Sequence, residues 1–556
     1  MYMKTTISIS KKVIMTAALA FITVSQSFAY VGQACGCPTV GSRTIVTVGT
    51  SGQVDVNGEL LADNTIWSCD KVYILDKKIY VPSGKTLTIN PGTIIKGNPN
   101  PGADPAQAVA LIVERGGKIV ASGTEDCQIV FTSVSDVAVD GTYGVIHHGD
   151  WGGVVILGKA KNNLSLANST SAFGGTCTGS TCFGTGVGTG YIEGFIAADS
   201  RNQYGGTDDD DNSGILRYVS IRHAGAIVNA ANGNELNGLT LGSVGRGTTL
   251  DHIEIVASND DGIEFFGGTV NVKYCATYFG MDDMFDWDHG YNGKMQFLFG
   301  LAADSITTFS ADNGFEADND DQKTSSTTPF ARPVIFNATL ISNGAKNQNV
   351  ADNSAHAGIN AKDWTGGEVY SSIFSNFETG FNMQQAPGSR ANGQEAYNNW
   401  TAGTLIVSCN SFVGNFESLK LNKAKASDGI APSGLDLTKF NVTDNNSVVA
   451  TAPGYDFLFN LNTNNNTVVS NDTLDLAPTP TLASTCTPPA DGFFTPTNYK
   501  GAFGPGEKSW LAKWSFASTL RFTPGLASCP TDINADGVTN NVDFLLLLGS
   551  FNDVCY

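Results

Sequence analysis

Two blocks in the middle of the chain repeat each other, and that repetition limits the fold more than any other feature. Residues 249–268 read TLDHIEIVASNDDGIEFFGG and residues 271–290 read NVKYCATYFGMDDMFDWDHG, so equivalent positions lie 22 residues apart. A third copy is split by an insertion: MQFLFGLAAD from Met295, then DNGFEAD from Asp312. A unit this short, rich in β-formers and in Gly, Asn and Asp turns, cannot bury its apolar face alone and must stack on its neighbours. A continuous stack implies no pocket of its own. Function is therefore to be sought in columns of side chains along its faces.

Period-2 runs broken by turns start near Val72. Laid on one another, the runs predict inward ladders. The series is Leu216/Val219/Ile221, Leu250/Ile253/Ile255, Val272/Cys275/Thr277, Met295/Leu298/Gly300, Ile335/Ala338/Leu340, Val369/Ser372/Phe374 and Ile406/Cys409/Ser411. Stacked rungs sit about 4.8 Å apart. Insertions at residues 176–213 and 307–329 are predicted to be loops on one side, of a length that is usually functional or disordered.

KKIYVPSGKTLTINPGTIIKG from Lys77 and ALIVERGGKIVASGTEDCQIVFTS from Ala110 resemble the opening coils of right-handed parallel β-helix proteins. GDWGGVVILGKAKNN from Gly149 resembles a segment of large secreted bacterial β-helix proteins. The resemblance, to pectin-lyase-like β-helices, covers most of residues 72–421. It implies an all-β solenoid and says more about fold than about chemistry.

The same superposition stacks carboxylates. Asp260, Asp282 and Asp312 share one position, and Asp261 and Asp283 share the next with Asn313. Glu264, Asp286 and Glu316 share a third, continued by Asn360, Asn382 and Lys420. Asp288, Asp318 and the run from Asp208 to Asp211 add charge. Like charges about 5 Å apart repel by ~1 kcal/mol even in water, and more when desolvated. Three readings follow. The columns bind a hard cation through oxygen, for which calcium is the natural choice. They form a catalytic acid cluster with shared protons. Or they are a solvated face of turn residues. Asp282, Asp283, Asp286, Asp288 and His289 have the residue types of hydrolytic relatives that use paired carboxylates. Lys273, Arg222, His223 and His252 are the candidates for a base in a calcium-assisted lyase, the other chemistry the resemblance implies. Trp287, Phe265 and Phe266 either stack on sugar rings or pack under a loop.

The C-terminal run DINADGVTNNVD from Asp532 fits an oxygen-ligand calcium loop. Asp532, Asn534, Asp536, Asn540 and Asp543 offer side-chain oxygens, Val538 its carbonyl, and Gly537 the sharp turn. It resembles half of a type I dockerin, which takes Asp at the twelfth position. A dockerin has two such repeats, and this chain has Thr539 where an aliphatic is usual. The resemblance implies one calcium and a tail of the kind appended to polysaccharide-processing proteins, one that would link the chain to a surface-anchoring protein.

The N-terminus reads as an export leader. Lys4, Lys11 and Lys12 precede an apolar stretch at residues 13–24, too short for a resident span, and Ser27-Phe28-Ala29 suits cleavage before Tyr30. A net charge of −20 argues against nucleic acid and anionic membranes as partners. The eleven cysteines are then free to pair. Spacing favours Cys177–Cys182 and Cys529–Cys555, and the ladder places Cys275 and Cys409 in the core as thiols. It leaves Cys35, Cys37, Cys69, Cys127 and Cys486 unassigned.

The expected organisation is thus a leader at 1–29, an N-terminal cap at 30–71, a β-helix at 72–421 and a terminal coil and linker at 422–480. A capping segment at 481–528 and the calcium module at 529–556 complete it. The expected role is a secreted or cell-surface, calcium-binding protein that binds extracellular polysaccharide or matrix. A polysaccharide lyase or glycoside hydrolase is the alternative, and a structural surface protein or adhesin is a further one.

Overall fold

The computed structural model describes residues 31–99, 108–164, 188–192, 199–229, 234–302, 312–319, 328–342, 356–385, 395–414, 417–423, 436–449, 459–462, 467–470, 476–478 and 481–519. The leader, Cys177, Cys182, Cys529, Cys555 and the calcium loop Asp532 to Asp543 lie outside these residues.

The chain is a parallel β-helix. A 17-stranded sheet and a 10-stranded sheet run its length, and every pairing within them is parallel. Alternating β-branched and aromatic residues put one apolar row per strand inside, where identical spacing makes ladders. Leu250 pairs with Val272, Ile253 with Cys275 and Ile255 with Thr277. The next rungs add Met295, Leu298 and Gly300, then Ile335, Ala338 and Leu340. One continuous core runs from Val48 to Phe440. The stack reaches further than expected at both ends. Thr44–Thr47 already pairs with Lys71–Leu75, and Ser447–Val449 still pairs with Ser411–Val413.

Each full-length strand of the 17-stranded sheet, such as Gly214–Arg222 and Thr249–Val256, bends at one left-handed residue, so its two halves serve two walls. That residue is Tyr218, His252, Tyr274, Phe297 or Asn337. Where the wall is built of two shorter strands it is Ser371, Cys409 or Asn445, and φ over the whole column lies between 49° and 59°. The 10-stranded sheet of short strands, including Ile263–Phe266, Phe285–Asp288 and Phe315–Ala317, forms the third wall.

The last expected rung is corrected by one residue. Val369 pairs with Val407, not Ile406, and Phe374 with Phe412, not Ser411. A one-residue slip exchanges the two faces of a strand. Cys409 therefore sits at the bend, outside the core, and forms a disulfide with Cys486. Cys275 remains a buried free thiol as expected. Cys35–Cys127 and Cys37–Cys69 pair the cysteines that spacing alone could not.

Residues 476–478 and 481–519 return as a strap along the outside of the bent strands. Leu476, Ala502, Phe503, Leu511, Trp514 and Phe516 close over Val256, Tyr278, Phe299, Leu301, Ile341 and Ile373. Polar side chains at the bends hold the strap. Gln296 exchanges two hydrogen bonds with the Thr495 backbone, and Asn337 Nδ2 donates to the Tyr499 carbonyl.

Candidate functional site

The short-strand sheet turns alternate side chains inward and outward. Phe285 and Trp287 fill the core, which places Asp286 and Asp288 outside. Pairing then builds the columns rung by rung. Glu264 faces Asp286, Asp286 faces Glu316, Glu316 faces Asn360, Asn360 faces Asn382, and Asn382 faces Lys420. Asp260, Asp261, Asp282, Asp283 and Asp312 sit on the turns that lead into these strands.

The turn column has a structural task. Asp261 Oδ1 accepts the Asp283 backbone N–H at 3.0 Å, Asp283 Oδ1 accepts that of Asn313 at 2.6 Å, and Asn313 Oδ1 accepts that of Ala357 at 2.9 Å. Asn410 and Asn446 repeat this ladder on another corner. An amide would serve as well, so at 261 and 283 the charge is surplus to the ladder.

Three groups of acids converge closely enough to share one cation: Asp260, Asp261 and Asp282; Asp261, Glu264 and Asp286; and Asp282, Asp283 and Asp312. In each, one ligand atom per residue lies within 4.8 Å of the others. Asp286 is 7 % exposed, and its Oδ1 has no hydrogen-bond partner. Glu264 is held by Asn237, whose Nδ2 donates to Oε2 at 2.5 Å. A void of about 10 Å³ borders Asp282 and Asp283, roughly one water or ion in size. Ser258 and Thr277 also line it, and their hydroxyls lack partners.

Burial, then the neighbouring carboxylates, pushes the acids Asp261, Asp283 and Asp286 well above the ordinary aspartate range. Asp282 is pushed up to about 7 by desolvation, Asp312 and Glu316. It keeps more solvent contact than its buried neighbours, so crowding by like charge is the better account of it.

The upper rung already has its cation. Lys362 Nζ lies 2.5 Å from Glu316 Oε2 and 3.1 Å from Asp318 Oδ2. Burial favours the neutral amine, but Asp318, Glu316 and Asp286 outweigh it and hold the ammonium charged. Sequence reasoning missed this residue. Extending the Asp288/Asp318 column by one rung, two residues past Asn360, would have reached it.

The other expected residues are not brought to this face. His289 is 1 % exposed, with Nδ1 at 2.9 Å from the Tyr204 hydroxyl and Nε2 at 3.3 Å from Asp288. Trp287 and Phe265 are core residues, and Phe266 packs against Tyr204. Arg222, His223, His252 and Lys273 belong to the bent strands or their ends. Burial lowers His223 to about 4, so it is neutral at pH 7. The Asp208–Asp211 run is tied to the helix elsewhere: Asp209 pairs with Lys161 at 2.7 Å, and Arg246 reaches both Asp209 and Asp210.

The pectate-lyase-like beta helix domain matches residues 58–455, well over half of the chain. The chain belongs to this family. No curated protein and no solved structure matches it. Membership agrees with the parallel sheets and with a polysaccharide-related role. The three disulfides among the described residues suit an oxidising compartment. Among the described residues no helix is long and apolar enough to cross a membrane.

Proposed function

We propose that this is a secreted protein that binds an extracellular polysaccharide along its short-strand sheet, with calcium held between the acidic columns. The observation that carries the reading is Asp286 Oδ1, buried without a partner between Glu264 and Glu316 and within one cation's reach of Asp261. Buried carboxylates need a proton or a cation, and a hard oxygen-rich site suits calcium. Asp260, Asp261, Asp282, Asp283, Asp312, Glu264 and Asp286 would hold it. Lys362 already serves Glu316 and Asp318.

A lyase or hydrolase is the second reading. Asp282, pushed up to about 7 by burial and by the neighbouring Asp312 and Glu316, keeps a share of its protons at neutral pH, as a general acid must. Calcium in the loop Asp532, Asn534, Asp536, Val538, Asn540 and Asp543, with surface anchoring through that tail, is proposed from sequence alone.

The test is a screen of the purified protein on acidic and neutral polysaccharides, with calcium and with chelator. Binding is read by calorimetry, and cleavage by new reducing ends and unsaturated-uronate absorbance. Calcium-dependent binding without product supports the first reading, and product supports the second. No binding and no product on any polymer rejects both.

A further inference from the structure

The bend column holds an unexplained choice of residues. Tyr218, His252, Tyr274 and Phe297 take left-handed backbone, which is unfavourable for a non-glycine residue. Asn337 and Asn445 fill the same column one and four rungs beyond Phe297, and asparagine tolerates that conformation better. The four rings stack on one another, with centroids 4.3 Å apart for Tyr218–His252, 4.6 Å for His252–Tyr274 and 4.9 Å for Tyr274–Phe297. Trp510 and Trp514 of the strap meet them edge-on.

Beside these rings a groove of about 520 Å³ opens between the bent strands and Phe493 of the strap. Arg217, Arg246 and Lys273 line it against a single carboxylate, Asp251, in a chain of net charge −20. The cations are preset. Arg217 is fixed by Asp251 at 2.8 Å. Lys273 donates to the Phe493 carbonyl and Thr495 hydroxyl. Arg246 is steadied by Asp210 at 3.1 Å and stays half exposed. The Tyr218 hydroxyl and His252 Nε2 make no hydrogen bond among the described residues. The groove thus combines fixed positive charge, spare polar atoms and aromatic edges in a concave site of ligand size.

We propose that this groove binds an acidic oligosaccharide, its carboxylate or sulfate groups facing Arg217, Arg246 and Lys273. The inference rests on the polysaccharide reading and makes the polymer anionic. It places a second contact on a different wall of the helix, one that needs no metal.

Calorimetry on the full chain in chelator tests it, with an oligogalacturonide, a sulfated oligosaccharide and a neutral oligosaccharide as probes. The acidic probes should bind and the neutral one should not, and the better acidic probe tells carboxylate from sulfate. Losing charge-assisted contacts should weaken binding about tenfold or more in an Arg217→Gln/Arg246→Gln variant, whereas Lys118→Gln, at an exposed residue outside the groove, should bind as wild type. Arg246→Gln alone, changed at a half-exposed side chain and adding no negative charge beside Asp209 and Asp210, should show a smaller loss. Wild-type affinity in both arginine variants overturns the proposal, as does equal binding of the neutral probe. Binding seen only with calcium, and lost in Asp286→Asn, also overturns the groove while leaving the acidic columns standing. Retention in chelator with loss in the arginine variants upholds the groove even if the columns bind nothing.

Discussion

Two outer faces of this helix are buried in opposite ways. On the bent strands, outward Val256, Tyr278, Phe299, Leu301 and Ile341 are covered by the apolar strap. Under the strap, Glu254 receives the Phe516 N–H on both oxygens at 2.8 Å, with Arg222 at 3.9 Å. On the short-strand sheet, outward Glu264 and Asp286 are 8 % and 7 % exposed; Asn237 donates to Glu264, while Asp286 Oδ1 has no hydrogen-bond partner among the described residues. Even within that sheet the column changes character. Tyr80, Ile112 and Val155 belong to an apolar cluster with Tyr204 and Leu164, and Thr240, Glu264 and Asp286 follow. Low exposure on a solenoid therefore does not distinguish a seal from a site. The chemistry of the column does.

The comparison is broken most severely by opening the seal. Trp514 is fully buried, and Trp514→Ala should cost about 3–5 kcal/mol, read as a lower denaturant midpoint, with little change in calcium response. Removing the built-in cation comes next. Lys362→Met strands Glu316 and Asp318, and because 24 % of its side chain stays exposed the loss should be about 2 kcal/mol. Added calcium should recover part of that loss, and no recovery would mean that the columns do not take the ion.

Asp286→Asn should act with opposite signs. In chelator it relieves repulsion and raises the melting temperature by an amount worth about 1 kcal/mol, and with calcium it lowers metal affinity. A single sign in both conditions contradicts the site. The smallest effect concerns pH. Carboxyls raised in the fold bind protons more tightly there than in the unfolded chain, so in chelator stability is full at low pH and falls as pH rises. For Glu254, pushed up to about 7 by burial, the fall spans its ordinary value of 4.5 to about 7. Glu254→Gln should flatten that part of the melting curve against pH, while the columns keep the remainder until calcium is added.

The interior was legible because it follows one rule. A 22-residue offset fixes which residues share a ladder, and Leu250, Ile253, Cys275 and Met295 fall where counting puts them. Counting failed at Val407 because the insertion before it, which holds the helix Glu395–Ala402, hides the register. The acid columns were legible by the same arithmetic. Their Asx ladder was not, since Asp and Asn accept a backbone N–H equally well. Lys362 was hidden because reasoning about repulsion looked for an external ion, and the strap because its contacts with the rungs span some two hundred residues of sequence.

The cysteines and the strap also decide how the molecule would bear load. A simple stack pulled from its ends peels one rung at a time. Here Cys35 is joined to Cys127, and the strap brings Lys508 to Glu125 and Lys513 to Asp126. Both ends of the described chain meet at a single turn, residues 125–127. Tension across them would reach that turn through one covalent bond and two surface ion pairs before it reached the rungs between. A linear solenoid is thereby closed into a mechanical loop, and reduction of one disulfide would open it.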